Sequence, residues 1–209
     1  MSLKKLFFLS VSVCSLSNPC VTSAADLSVN GHIQPGGACS IALGNGGTVD
    51  LGTLSRKDLK ESDETIFWGH GVTLAVDCQT PAKVAIKAIN NRETVVEGRY
   101  GSFGLGPIGS KIRFLIYPLN RVGDGKPLLH LYSEDGGQSW RAAGGSTATA
   151  GISPSDLASW AEEGETLPQA FRTIRSELGF RVALPALRDL DLSKEIALDG
   201  SATLELVYL

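Results

Sequence analysis

Apolar residues recur with a period of two along this chain. They do so up to its last residues, where Ala202, Leu204, Leu206 and Tyr208 lie on one side of a strand that ends at Leu209. Successive strand side chains point to opposite faces, so a segment of this kind has one face to bury and two edges to pair. A free carboxylate beside an aromatic anchor also suits a partner with a basic cleft. The segment therefore reads either as the ordinary closing strand of a β-sandwich or as a strand recognised by a partner.

The same alternation places strands over 39–43, 72–78, 83–89, 111–117, 128–132, 178–184 and 196–209, with 48–52 extended after a Gly44-Asn45-Gly46-Gly47 turn. Val72, Leu74, Val76 and Cys78 share one face of the clearest of them. Pro81 is expected to break the chain between 72–78 and 83–89. A helix is expected once, where Ser153 caps, Pro154 takes the first helical position and 156–163 run until Gly164 stops them. The stretch 142–168, rich in Gly, Ala, Ser and Thr, reads as a variable connection. With glycines spread between short apolar runs, the pattern is that of an all-β, Ig-like β-sandwich with a short decorating helix.

The amino end points to export. Lys4 and Lys5 precede an apolar run over 6–16, and Thr22-Ser23-Ala24-Ala25 are small residues suited to signal peptidase. Residues 1–25 are read as a signal peptide, cleaved after Ala24 or Ala25, and 26–209 as one domain. The apolar run is too short to span a bilayer, and Ser17-Asn18-Pro19 before Cys20 is no lipidation signal. Removing Lys4 and Lys5 takes 19 basic side chains to 17 against 22 acidic, a net charge of −5. No basic patch with interleaved aromatics appears, so neither nucleic acid nor an anionic membrane is expected as a partner, and beyond the signal no segment reads as membrane-spanning.

Export leaves two cysteines, Cys39 and Cys78, since Cys14 and Cys20 leave with the signal. Two cysteines in an oxidising compartment pair, and closing a ring of this size stabilises by about 4 kcal/mol in the chain-entropy model. His32, His70 and His130 lack ligand spacing, so neither a metal nor another cofactor is expected.

No catalytic signature is complete. There is no Gly-x-Ser-x-Gly elbow and no His-Glu-x-x-His, and Gly104-Leu105-Gly106 lacks a strand-then-helix setting. The acidic pairs Asp189 with Asp191 and Glu162 with Glu163 read as solvated surface, and His70 as a loop residue. The segment Ser133-Glu134-Asp135-Gly136-Gly137-Gln138-Ser139-Trp140 resembles the Asp-box of sialidases and other carbohydrate-active proteins. It occurs once in a chain too short for a propeller, so Ser133, Asp135, Gly137 and Trp140 are read as a structural hairpin and the chain as a non-enzyme.

The start of the mature chain, Asp26-Leu27-Ser28-Val29-Asn30-Gly31-His32-Ile33 with Cys39 close behind, resembles the N-terminal extension and first cysteine of chaperone–usher pilus subunits. Ala202-Thr203-Leu204-Glu205-Leu206-Val207-Tyr208-Leu209 is similar to their closing strand with its penultimate tyrosine. A nearer resemblance is to an uncharacterised family of periplasmic proteins regarded as fimbria-related, which includes the periplasmic product of the glutamate synthase operon. It is carried by Pro35-Gly36-Gly37-Ala38-Cys39, Gly46-Gly47-Thr48-Val49-Asp50-Leu51-Gly52, 72–78, Asn91-Arg92, Phe103-Gly104-Leu105-Gly106 and Leu198-Asp199-Gly200 with the Tyr208-Leu209 end.

The pilus-subunit resemblance implies a pilin-like sandwich lacking its last strand, with the first two strands joined by a Cys39–Cys78 bridge. A periplasmic chaperone fills the open groove first, and a neighbouring subunit's N-terminal extension fills it in the fibre, with an outer-membrane usher as a possible further partner. Leu27, Val29 and Ile33 would be the inserting side chains, with Gly31 where the groove narrows. Ala202, Leu204, Leu206, Tyr208 and Leu209 would form the strand that the chaperone recognises. These pilins usually carry a glycine at the place matched here by Ile196, whereas this chain has Gly200. The function expected is a secreted or cell-surface fimbrial subunit; the alternative is a self-complete periplasmic binding or accessory protein of the same fold, and a remote one is a carbohydrate-active protein suggested by the single Asp-box.

Overall fold

Ten antiparallel strands form in the computed structural model, which describes residues 38–92, 101–107, 109–143 and 151–209 apart from the His70 side chain. They are β1 Cys39–Leu43, β2 Thr65–Asn90, β3 Phe103–Gly104, β4 Arg113–Gly123, β5 Lys126–Pro127, β6 Leu129–Ser133, β7 Arg141–Ala142, β8 Leu157–Ala161, β9 Ala170–Leu184 and β10 Ala202–Tyr208. The signal segment 1–25 and the residues Leu27, Val29, Gly31 and Ile33 lie outside the described residues.

The long β2 organises the fold. Its first half pairs with β1 on one edge and β9 on the other, and β9 continues through β4 to β3. Its second half pairs with β10 and β8, and β8 continues through β6 to β7. One strand thus serves two layers, and the sheet curls on itself as an Ig-like, pilin-like sandwich. Strands that change layers in this way do so at bends or bulges.

Between the layers the alternating residues close a single core. Leu74, Val76, Ile86, Phe103, Ile112, Trp160, Ile174 and Leu178 are all fully buried in it. Each such side chain contributes roughly 1.5–3 kcal/mol by leaving water. Cys39 lies directly opposite Cys78 in the β1–β2 register, and the two are bonded to each other.

Two expectations are corrected. Pro81 does not break the chain, because it sits where β2 changes layers: pairing with β9 lapses between Asp77 and Ala82, so no ladder hydrogen bond needs an N–H from residue 81. The expected helix over 156–163 is instead strand β8. Ser153 does begin a turn, its Oγ accepting from the Ser155 N–H at 3.1 Å, but the turn gives way to the strand. Ala158 and Trp160 then alternate into the core, with Trp160 opposite His130 on β6, and that burial overrides a helical start signal. Within the segment read as a connection, Leu157–Ala161 are therefore strand. Among the described residues the helical turns that form are single 3₁₀ turns at Gly44–Gly47, Arg56–Asp58 and Leu187–Asp189.

Candidate functional site

A groove of about 820 Å³ with an apolar floor opens between two segments that belong to no strand. One wall, 49–54, follows β1. The other, 190–200, leads into β10. The floor is the inner face of the first layer: Phe114 and Ile116 from β4, and Leu178, Phe180, Val182 and Leu184 from β9.

Both walls are patterned as strands. Val49 and Leu51 alternate on one, and Leu190, Leu192, Ile196 and Leu198 carry the alternation of β10 backwards on the other. Yet among the described residues no backbone hydrogen bond ties 49–54 or 194–198 to a neighbouring strand. What holds the first wall is local: the Asp50 carboxylate accepts the Gly52 N–H at 2.8 Å, and Asp58 closes a capping box with Ser55. The second wall is pinned at its end, where the Gly106 N–H donates to the Asp199 carbonyl and the Asn91 N–H to that of Ser201.

Gly200 lies where this wall crosses β3 and β4. A Cβ there would come within 2.9 Å of Leu105 Cδ1 and Phe114 Cε1 and 3.0 Å of the Gly104 carbonyl oxygen, so any side chain would lift the wall off the sheet. Unpaired backbone beside an apolar floor is a template for an added strand.

Of the closing strand, Ala202 and Leu204 line the groove, Leu206 is half-buried, and Thr203 and Glu205 face out. Tyr208 and Leu209 are exposed but fastened. The Tyr208 hydroxyl accepts the Cys39 N–H at 2.7 Å, and the Leu209 N–H donates to the Lys83 carbonyl at 3.0 Å.

The Ser133–Trp140 segment lies elsewhere, between β6 and β7. Asp135 accepts from the Ser139 N–H at 2.9 Å, the Ser139 hydroxyl and the Ser133 hydroxyl. The Gly137 N–H donates to Ser133 Oγ at 2.8 Å, and Trp140 Nε1 donates to the Gly137 carbonyl at 3.1 Å. Gly136 and Gly137 supply the positive φ angles of 73° and 97°. The Ser139 bonds, with that from Ser133, hold the Asp135 carboxyl well below the usual carboxylate range. Each of these groups is used up in bonding the hairpin to itself.

Among the described residues no group of three or more His, Cys, Asp and Glu side chains could hold a metal ion. None of the described helices is long and apolar enough to cross a membrane. The strand expected over 196–209 forms only over Ala202–Tyr208, because 196–200 pass over the apolar floor without a ladder partner, and neither 190–195 nor the floor was read as part of a site. The alternation at Leu190 and Leu192 was the available signal, broken in letters by Lys194.

A family model described as "Protein of unknown function (DUF1120)" matches residues 27–107, which include β1, β2, β3 and the first groove wall. No curated protein matches the chain.

Proposed function

We propose that this chain is a non-catalytic, exported structural subunit of a pilus-type fibre, whose groove is completed by a strand from outside the domain. The observation that carries the reading is the groove itself, an apolar floor between two walls without ladder partners. In the periplasm a chaperone would supply the missing strand. In the fibre, Leu27, Val29 and Ile33 of a neighbouring copy would supply it.

The edges of β2 support this arrangement. β1 occupies one edge from Leu74 to Cys78, and β10 occupies it from Val84 to Asn90, both antiparallel to β2. The two strands therefore run nose to tail, with Cys39 beginning where Tyr208 ends. A strand continuing backwards from Ala38 finds that edge taken, which favours use of the N-terminal segment away from β2.

Energetically, three apolar side chains buried in the groove are worth roughly 1.5–3 kcal/mol each, and the strand's backbone bonds satisfy the walls. Gly31 would pass the place with no room for a side chain. Gly31→Asn should then abolish assembly into multimers through overpacking of roughly 1–3 kcal/mol, while chaperone-bound subunit still accumulates. If Gly31→Asn unfolds an isolated monomer instead, the segment completes its own domain and the protein is a self-contained accessory protein.

A further inference from the structure

The outer face of the first layer carries an exposed indole in the middle of the sheet. Trp68 on β2 is 63% exposed and lies opposite Arg181 on β9 in the ladder. The Arg181 guanidinium carbon is 5.6 Å from the centroid of the Trp68 ring, and the Tyr117 ring from β4 lies at 5.5 Å, tilted by 36°. At the next outward position of β9, Gly179 has no side chain, and Leu119 leans into the space over it, itself 42% exposed.

Arg181 differs from Arg113, Arg121, Arg141 and Arg175. Arg113, Arg141 and Arg175 meet the carboxylates of Glu64, Glu134 and Asp77, and Arg121 donates to the carbonyls of Leu128 and Pro118. Among the described residues Arg181 faces no carboxylate, and its Nε is buried without a hydrogen-bond partner. That buried Nε lies out of a ligand's reach, but the terminal nitrogens of a guanidinium can meet a carboxylate with two parallel bonds.

We propose that Trp68 and Arg181 form a binding site for an acidic sugar residue, the indole taking the C–H face of a pyranose ring and the guanidinium its carboxylate. The charge asks for an anion, and the flat exposed ring asks for a flat apolar face on the same molecule. A polyanion is disfavoured by the chain's own net charge of −3. A sugar ring with a single carboxylate satisfies both demands. The site is rigid because its parts stand on adjacent paired strands. It faces away from the groove, whose floor is made by Phe180 and Val182 on the opposite side of β9, so it works whether or not the groove is filled.

The test is titration of the mature protein with methyl β-D-glucuronoside, using methyl β-D-glucoside as the neutral control, followed by intrinsic fluorescence and the indole N–H signals, with Trp68→Phe assigning the signal. Saturable binding of the glucuronoside is expected, at least roughly tenfold tighter than the glucoside. Arg181→Gln should reduce the glucuronoside to the level of the glucoside and Arg181→Lys should retain part of the difference, with near-UV circular dichroism confirming the fold. Absence of saturable glucuronoside binding, equal affinity for the two sugars, or a preference that survives Arg181→Gln in folded protein would each overturn the site. An oligoglutamate peptide that binds in place of the glucuronoside would overturn the sugar and make this face a protein contact.

Discussion

The hydroxyl of Tyr208 accepts the backbone N–H of Cys39 at 2.7 Å, joining the penultimate residue of the chain to the first residue of β1 across 169 positions. Cys39 is also one end of the disulfide, so the closing strand is tied at its tip to the covalently fixed corner of the sheet. Removing this hydroxyl tests the tie. Tyr208→Phe should lower stability by about 1 kcal/mol, the net worth of one hydrogen bond, and should speed amide exchange in β10 before it affects β9. Urea unfolding with hydrogen exchange reads both.

The disulfide itself is a stronger constraint. Oxidised protein should show no titratable thiol from Cys39 or Cys78 when native, and Cys39→Ser should lose about 4 kcal/mol, the loop-closure value for this ring. Thiol titration before and after denaturation, together with the denaturation midpoint, decides it. Two thiols reacting in the native protein would contradict the bridge.

His130 gives the fold a pH dependence of known sign. Burial pushes its imidazole down to about 3, helped by the nearby Arg121 charge and only partly offset by the backbone of Gly151. The unfolded chain takes up this proton near pH 6.5 and the folded chain resists it to about pH 3. Stability from this group is therefore complete above about pH 6.5 and falls as the pH drops towards 3, by about 1.4 kcal/mol per unit. Between pH 6.5 and 4.5 the loss is about 2–3 kcal/mol. His130→Leu should flatten urea midpoints across that window, and an unchanged slope in the variant would assign the effect to other groups.

Much of the fold was legible because period-two burial is written directly in the letters. Val72, Leu74 and Val76, and Ala202, Leu204 and Leu206, turn the same faces inward as their alternation requires. Pro81 and the 156–163 segment were misread because each local signal was outweighed by context, a layer change in one case and the burial of Trp160 in the other. The groove was only half legible. Alternation identifies Ile196 and Leu198 as inward-facing, but whether an extended segment has a ladder partner depends on which other segment reaches it. The platform at Trp68 was not legible at all, since an indole beside Phe67 reads as core until the register with Arg181 is known.

The central claim, that the groove takes a strand from another copy, is tested most directly by cross-linking Val29→Cys to Ile196→Cys with a short bismaleimide, leaving the Cys39–Cys78 bridge oxidised. The account predicts a covalent dimer when the two single variants are assembled together, and a ladder of covalent multimers from the double variant. A double variant that yields only an internally cross-linked monomer at every concentration, with no dimer from the mixed single variants, would contradict it.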